Sequence, residues 1–239
     1  MGANAQTAVP VFVAGQVLTA QQQTEINTGV PVFATTVTRD AAFGGAGEKT
    51  LAEGQFAYIE ATNTTQYYDG ASWQSVGASG LTLVSATTIG TTVSSVTVSS
   101  AFSSTYDNYR IILSGGVAST ATEINMTLGA TATGYYRFLL SGSYTSDTVN
   151  GAGSANTTSW RHTASGSTTL LSGEIDLYSP NLAKNTSIIG RGAQASTTGA
   201  TLWQNGYLND TTQYTAFTFT PQTGTLTGGT IRVYGYQNS

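Results

Sequence analysis

Aromatic and amide side chains lie close together in three phrases: TGYYRFLLSGSY (133–144), SWRH (159–162) and LWQNGYLND (202–210). A sugar ring can stack its apolar face on an aromatic side chain, which carries a large apolar surface, while amides and carboxylates bind its hydroxyls. These phrases therefore predict a saccharide site. The candidate ligand-binding residues are Tyr135, Tyr136, Trp160, Trp203 and Tyr207. Core packing or a contact between subunits is the alternative role for the same residues.

His162 is the only histidine, and the chain has no cysteine. A metal site at His162 would therefore need carboxylates for its remaining ligands. A serine nucleophile could use His162 as its base, but the sequence has no Gly-x-Ser-x-Gly turn to present such a serine. We predict an ordinary strand or loop position for His162 and no bound metal.

Glu174 and Asp176 are two residues apart in a segment with the pattern of a strand. Their side chains should point to the same face, ~6.5–7 Å apart by strand rise. An inverting glycosidase uses two carboxyl groups at about this separation. The polar outer face of a β-sandwich has the same pattern, and nothing nearby indicates a raised pKa, so we interpret the pair as structural.

The phrase GGAGEKT (44–50) invites comparison with a phosphate-binding loop. Such a loop needs Gly-Lys-Ser/Thr in succession, so that backbone amides and the lysine reach phosphate. Here Glu48 separates Gly47 from Lys49, and its carboxylate would repel phosphate. We predict a surface loop.

Taken together, these motifs predict no catalytic residues, no cofactor and a protein that is not an enzyme.

The composition constrains what can hold these residues in place. Only 8% of the 239 residues are charged, against about 25% in ordinary soluble domains. The chain has 28 glycines, and its 13 tyrosines outnumber the eight phenylalanines and three tryptophans together. Without cysteine, neither disulfides nor thiolate metal sites can stabilise the fold. Such a chain suits a protein that associates with copies of itself or lies outside cells.

The charge is unevenly distributed. Residues 1–80 carry six acidic residues against Arg39 and Lys49, a net charge of −4, whereas residues 81–239 carry six acidic and six basic residues. No basic patch is present, so we expect no nucleic-acid partner.

No run approaches the roughly 20 apolar residues of a membrane span. The start, MGANAQ, fits neither a secretory signal nor a myristoylation motif, so we expect synthesis in a cytosol.

The N-terminal third predicts one helix and a small meander. The segment LTAQQQTEINTG (18–29) is the only predicted helix, with Thr19 as its N-cap and Gly29 at its end. Alternation in FAYIEATNTTQYYDGASWQSV (56–76) predicts antiparallel strands joined by turns at ATNTT and DGAS. Tyr67 or Tyr68 should face Trp73 across the second turn.

Residues 81–239 predict an all-β domain. Segments of strand character recur every ten to twenty residues, and several alternate cleanly between apolar and polar residues. About ten strands without a convincing helix predict an antiparallel, jelly-roll-like β-sandwich. Three phrases, beginning at Thr131, Thr145 and Asn150, are expected to be exposed loops. The predicted strands are 81–89, 95–100, 109–115, 123–129, 135–142, 170–179, 186–192, 200–208, 214–220 and 229–237.

The predicted domain plan has four parts. Residues 1–40 form an N-terminal attachment segment with the short helix, and residues 41–76 form a small β-hairpin module. GASG (77–80) has no large side chain and is expected to be a hinge. Residues 81–239 form the β-sandwich.

Two stretches resemble bacteriophage virion proteins of the tail-fibre or head-fibre appendage type. The first runs from GQVLTAQQQTEINTG to the Tyr-Asp-Gly-x-x-Trp phrase (15–77), and it is similar to N-terminal modules of phage tail and fibre proteins. The second runs from AFSSTYDNYRIILSG (101–115) to GGTIRVYGYQNS (228–239), and it resembles sandwich modules of phage structural proteins. The resemblance implies a homotrimer assembled in the bacterial cytoplasm, exposed on the virion and attached to other virion proteins through its N-terminal segment. It implies no catalytic residues.

The predicted function is therefore that of a non-enzymatic virion appendage. Its N-terminal segment would attach to the particle, and its sandwich would bind a saccharide on the host surface. The first alternative is a structural protein that decorates the capsid or tail without binding the host. A polysaccharide depolymerase is the second, although the long regular repeats expected of that class are absent.

Overall fold

The computed structural model describes residues 9, 13–20, 22–23, 29–45, 48–77, 80–194 and 199–238. The chain divides into two compact units, Met1–Ser79 and Gly80–Ser239. The division lies inside the predicted hinge at 77–80, of which residues 78 and 79 are outside the described residues. The two units are described separately below.

The start of the predicted N-terminal helix is confirmed. Thr19 Oγ1 accepts a hydrogen bond from the Gln22 amide at 3.2 Å, and Gln22 Oε1 accepts one from the Thr19 amide at 3.0 Å. This reciprocal arrangement is a capping box, which satisfies two amides that a helix start leaves without partners. Gln23 N then donates to Thr19 O at 3.0 Å. Residues 21 and 24–28 of the predicted helix lie outside the described residues.

The expectation of a single helix is wrong, because a second helix, α1, spans Thr36–Asp40. Its N-cap is Thr35, whose side chain accepts a hydrogen bond from Thr38 N while the Thr38 hydroxyl accepts one from Thr35 N. The helix has only five residues, too few for a hydrophobic period to be visible in the sequence. The Thr-x-x-Thr cap was the one local signal.

The first unit contains a four-stranded sheet of β1 Val32–Phe33, β2 Phe56–Ile59, β3 Thr64–Tyr68 and β4 Trp73–Ser75, in the order β1–β2–β3–β4. The predicted meander is confirmed, and β1 adds to it in parallel with β2. Tyr68, rather than Tyr67, pairs with Trp73, with ring centroids 5.7 Å apart. Gly70 adopts φ +96° in the Asp-Gly turn, a conformation that glycine reaches without steric cost. A 3₁₀ turn, Glu60–Thr62, joins β2 to β3.

Among its described residues, the second unit contains twelve strands: β5 Leu81–Thr88, β6 Val96–Val98, β7 Asn108–Ala118, β8 Thr122–Leu128, β9 Tyr135–Ser143, β10 Val149–Thr157, β11 Trp160–Gly166, β12 Leu171–Tyr178, β13 Thr186–Gln194, β14 Ala200–Leu208, β15 Phe217–Pro221 and β16 Leu226–Tyr236. The ten predicted strands are among them. Two strands, β10 and β11, were missed, so the expectation of an exposed loop from Asn150 is wrong. Residues 149–157 read VNGAGSANT and have no large side chain after Val149; they form a strand through backbone pairing with β9.

These strands form the antiparallel β-sandwich that the sequence predicts. One layer has the order β5–β16–β7–β12–β13–β14–β9–β10, and the other has the order β6–β15–β8–β11. The layers are connected where β11 pairs briefly with the start of β12. The pairs β5–β16, β6–β15, β7–β12 and β8–β11 are nested in the chain, which gives the jelly-roll-like character.

The core lies between the two layers and follows the two-residue period of the strands. Tyr109, Ile111 and Leu113 of β7 are buried, as are Ile124 and other alternate residues of the smaller sheet. The opposite residues of the large sheet face away from the core, and this surface is called the outer face below.

No helix in the part of the chain that the structure describes is long and apolar enough to cross a bilayer.

Candidate functional site

The structure separates the five predicted ligand-binding residues into two groups. Tyr136, Trp203 and Tyr207 lie on the outer face of the large sheet, and two of them, Trp203 and Tyr207, are among the exposed large hydrophobic residues. Tyr135 and Trp160 are fully buried, with their rings in a T-shaped contact 5.0 Å apart. The prediction that these two contact a ligand is therefore corrected: they are core residues.

Tyr135 is fixed in the core by its hydroxyl group. The hydroxyl accepts a hydrogen bond from Leu128 N at 2.8 Å and donates one to Thr131 O at 3.1 Å. Burial raises the pKa of Tyr135 to about 12. Since neighbouring residues of a strand point to opposite faces, Tyr135 and Tyr136 cannot both be on the outer face.

Strand register builds a continuous apolar surface around the exposed residues. Across β9 and β14, Tyr136 pairs with Tyr207, Phe138 with Asn205 and Leu140 with Trp203. Asn205 also pairs with Ile189 of β13. We call this surface the aromatic face. It consists of Tyr136, Phe138, Leu140, Ile189, Trp203, Asn205 and Tyr207.

The rings of the aromatic face are both exposed and ordered by their neighbours. Trp203 is 59% exposed and Phe138 is 50% exposed. The rings of Tyr136 and Tyr207 are stacked, with centroids 4.8 Å apart and planes 4° from parallel. Large aromatic side chains that are half in water and adjacent on one sheet leave a broad apolar surface open to a partner.

Two glycines of β10 make room for Phe138. Gly153 pairs with Phe138 and Gly151 pairs with Leu140, so both glycines face outward beside these side chains. A Cβ added at Gly151 would be 3.0 Å from the Phe138 ring, and one at Gly153 would be 3.4 Å from it. The small residues that hid β10 from sequence analysis are therefore the ones that leave space for the ring.

Three hollows follow one another along the outer face. The first, of about 500 Å³, is lined by Tyr136, Phe138, Asn205 and Tyr207. The second, of about 280 Å³, shares Phe138 and Asn205 with the first and adds Trp203. The third, of about 570 Å³, shares Trp203 with the second and extends over β12 and β7. The volumes of the first and third hollows lie within the range of about 300–1,000 Å³ that small-molecule sites usually occupy.

The third hollow ends at a network of ion pairs. Arg191 Nη2 is 3.4 Å from Glu174 Oε1, and Arg110 Nη1 is 3.2 Å from the same atom. Arg110 also binds Asp176 with two 2.8 Å hydrogen bonds, and the Tyr236 hydroxyl donates to Asp176 at 2.7 Å. Glu174 and Asp176 share the outer face, as their spacing predicts, and both carboxylates are bound to arginines.

Asp176 is kept ionised by these contacts. Its burial acts to raise the pKa, but the hydrogen bonds from Arg110 and Tyr236 outweigh that effect and hold the pKa of Asp176 below its ordinary value. A general acid for glycoside cleavage needs the opposite shift. The ion pairs of Arg110 and Arg191 with Glu174 and Asp176 therefore form a charged region beside an apolar surface.

His162 lies on β11, in a position where φ is +59°. Its Nε2 is 3.1 Å from Glu123 Oε1. Burial, with the charges of Arg137 and Arg161, lowers the pKa of His162 to about 4, so the imidazole is neutral at pH 7. Among the described residues, no three His, Asp or Glu side chains come together in a group that could hold a metal ion.

The loop at 44–50 uses its charged groups internally. Glu48 Oε2 accepts a hydrogen bond from Gly45 N at 2.8 Å, and Lys49 Nζ donates to Gln55 Oε1 at 2.6 Å. The Glu48 carboxylate thus binds a backbone amide of this loop. In a phosphate-binding loop, such amides bind the phosphate instead. Residues 46 and 47 lie outside the described residues.

Sequence analysis missed Phe138, Leu140, Ile189 and Asn205 as members of the site. The available signal was strand parity, since Tyr136, Phe138 and Leu140 alternate along one strand. Which strands lie side by side depends on long-range pairing, which the sequence alone did not indicate.

Comparisons of the chain with protein-family models, curated proteins and solved structures found no match.

Proposed function

We propose that the protein is a non-enzymatic virion appendage of the phage fibre type, and that its sandwich binds a surface saccharide on the aromatic face. The observation that supports this most is the exposure of Trp203, Phe138 and Tyr207 on one rigid sheet, with the Asn205 amide among them. Aromatic rings would stack on the apolar faces of sugar rings, and the amide would bind their hydroxyls.

The rigidity of the face favours binding of a flat ligand. Stacked Tyr136 and Tyr207 stand on paired strands, so little side-chain freedom remains to be lost when a ligand binds. Each contact is nevertheless open to water on one side, so a single site is expected to be weak. A homotrimer would offset this, because a shared attachment raises the effective concentration of the second and third sites.

The N-terminal unit is the part that we propose attaches to other virion proteins. The net charge of −4 resides in residues 1–80, whereas the sandwich is neutral overall. Charge complementarity steers association and selects partners, so an uneven distribution suits two different partners for the two units. Removing residues 1–76 should leave a sandwich that no longer joins particles. Incorporation of the truncated chain into virions would argue against this role.

A second candidate function is supported by the aliphatic members of the aromatic face. Leu140 is exposed beside Trp203, and Ile189 lies between the aromatic rings and the ion pairs. Aliphatic side chains are more typical of contacts between proteins than of sugar sites. In this alternative the face joins copies of the chain, and the protein decorates the particle without binding a host molecule.

A glycan array with the full chain distinguishes the two functions. The wild type is expected to bind one saccharide class, and Trp203→Ala should lose most of that signal. Tyr67→Ala is the matched control, since Tyr67 is a similarly exposed aromatic residue in the other unit. No binding by the wild type, together with dissociation of an oligomer by Trp203→Ala in sedimentation, would favour the decorating role instead.

A further inference from the structure

A group of polar side chains lies on the inner side of the large sheet, opposite the aromatic face. Arg137 on β9 pairs in register with Ser154 on β10 and with Gly206 on β14. Gln204 is two residues before Gly206, so its side chain is on the same side of the sheet as that of Arg137. Paired side chains of neighbouring strands have Cβ atoms about 5 Å apart, and diagonal ones about 7–8 Å.

Arg137 is a buried cation without an adequate partner. The residue is 9% exposed, and its Nε is buried with no hydrogen-bond partner among the described residues. Among the described residues, its side chain makes one hydrogen bond, from Nη1 to Ala152 O, and this bond is 3.5 Å long. The Glu123 carboxylate already binds Arg161 at 2.9 Å and His162 at 3.1 Å. A buried charge of this kind destabilises the folded chain unless a counter-charge accompanies it.

Other polar atoms in this group also lack partners. Gln204 is 1% exposed, and neither its amide oxygen nor its amide nitrogen has a hydrogen-bond partner among the described residues. The same holds for Ser154 Oγ and for His162 Nδ1. Buried polar atoms in proteins are nearly always hydrogen-bonded, so several together indicate something that they bind.

We propose that these side chains form a binding site for a small oxyanion, an inorganic ion such as sulfate or phosphate. Arg137 would supply the charge and two parallel N–H donors, which match the oxygens of such an ion. The Ser154 hydroxyl, in register beside Arg137, would supply a further hydrogen bond. The site lies across the sheet from the aromatic face, so a saccharide bound on that face does not reach it.

The neutral alternative, ordered water, does not supply a charge. Water can satisfy the amide and hydroxyl groups, but it leaves one positive charge unbalanced, because Arg137 and Arg161 share the single Glu123 carboxylate. An oxyanion satisfies both requirements in one ligand. The two alternatives therefore differ in how stability depends on anion concentration.

The test is thermal unfolding of the full chain during titration with sodium sulfate and, separately, sodium phosphate, with ionic strength held constant by sodium chloride. A specific site gives a midpoint that rises along a saturating curve, because the ligand binds only the folded chain. Arg137→Gln should weaken the apparent affinity at least ten-fold, consistent with the loss of a charge-assisted hydrogen bond of about 1.5–3 kcal/mol. Arg232→Gln, on the outer face, is the matched control and should keep the wild-type curve.

A wild-type midpoint that is independent of sulfate and phosphate, or a linear change that is identical in Arg137→Gln, would overturn the proposal and indicate a hydrated cluster. If Arg137→Gln does not fold, the wild type alone decides the matter. Crystals grown with selenate in place of sulfate should give a selenium anomalous peak within hydrogen-bond distance of Arg137 Nε. Absence of that peak from a well-ordered sandwich would contradict the site.

Discussion

The contact between Arg110 and Asp176 allows a quantitative test of the outer face. Asp176 accepts two 2.8 Å hydrogen bonds from Arg110 and one of 2.7 Å from Tyr236, and its side chain is 9% exposed. We predict that Asp176→Asn lowers the free energy of unfolding at pH 7 by about 2 kcal/mol. Hydrogen bonds to charged groups contribute about 1.5–3 kcal/mol each. Arg110 is 26% exposed and remains 3.2 Å from Glu174, so part of the loss is recovered.

The same contact predicts the direction of a pH dependence. Burial acts to raise the pKa of Asp176, but the hydrogen bonds from Arg110 and Tyr236 outweigh it, and the folded-state pKa is lowered. The unfolded chain, with a pKa of about 3.9, therefore binds the proton more readily. The stabilisation is present above that value and is lost as the pH falls through the folded-state pKa. The deficit of Asp176→Asn relative to the wild type should shrink in acid.

Urea unfolding followed by circular dichroism at pH 7 and at pH 3 measures both effects. Asp147→Asn is the matched control, because Asp147 is an exposed aspartate in the turn after β9. Its unfolding free energy should stay within about 0.5 kcal/mol of the wild type. An Asp176→Asn variant as stable as the wild type at pH 7, or a deficit that is the same at both pH values, would refute the reasoning.

Three further predictions concern the strands that carry the aromatic face. Gly206→Ala should destabilise the chain by about 3 kcal/mol in thermal unfolding, because the added Cβ would be 2.1 Å from Tyr136 O, a backbone atom. Tyr135→Phe should cost about 1–3 kcal/mol in urea unfolding, because it leaves the buried Leu128 amide without an acceptor. Trp203→Ala should weaken saccharide binding roughly five-fold per site, the loss of about 1 kcal/mol of stacking, while leaving the unfolding midpoint nearly unchanged.

The first two of these predictions have a control substitution in the same chain. For Gly206→Ala it is Gly142→Ala, whose Cβ would meet only a Thr201 methyl group at 3.4 Å. For Tyr135→Phe it is Tyr67→Phe, an exposed tyrosine in the other unit. Equal destabilisation of a variant and its control would mean that the contacts named for Gly206 or Tyr135 are not the cause. Unchanged binding by Trp203→Ala would remove Trp203 from the site.

The fold could be predicted where a strand has its own alternating pattern. In β8, Ile124, Met126 and Leu128 alternate with polar residues, and the structure buries these three. Strand β10 could not be predicted in this way, because most of its residues are small and its strand character comes from pairing with β9. The five-residue helix α1 was missed for a related reason, since one turn shows no period.

The site was predicted in part, and the errors have a geometric cause. The sequence predicted both Tyr135 and Tyr136 as ligand-binding residues. Alternation along β9 places Tyr135 in the core and Tyr136 on the outer face. Trp160 is an aromatic residue of a type that binds ligands, but it packs in the core against Tyr135. The contributions of Phe138 and Asn205 depend on the adjacency of β9 and β14, which are about sixty residues apart in the chain.

The most direct test of the proposed function is a crystal structure of the full chain with the saccharide that it binds on an array. The account predicts a sugar ring stacked on Trp203 or on the Tyr207 surface, with a hydroxyl hydrogen-bonded to Asn205. A saccharide bound elsewhere, or an aromatic face buried against a second copy of the chain, would contradict it.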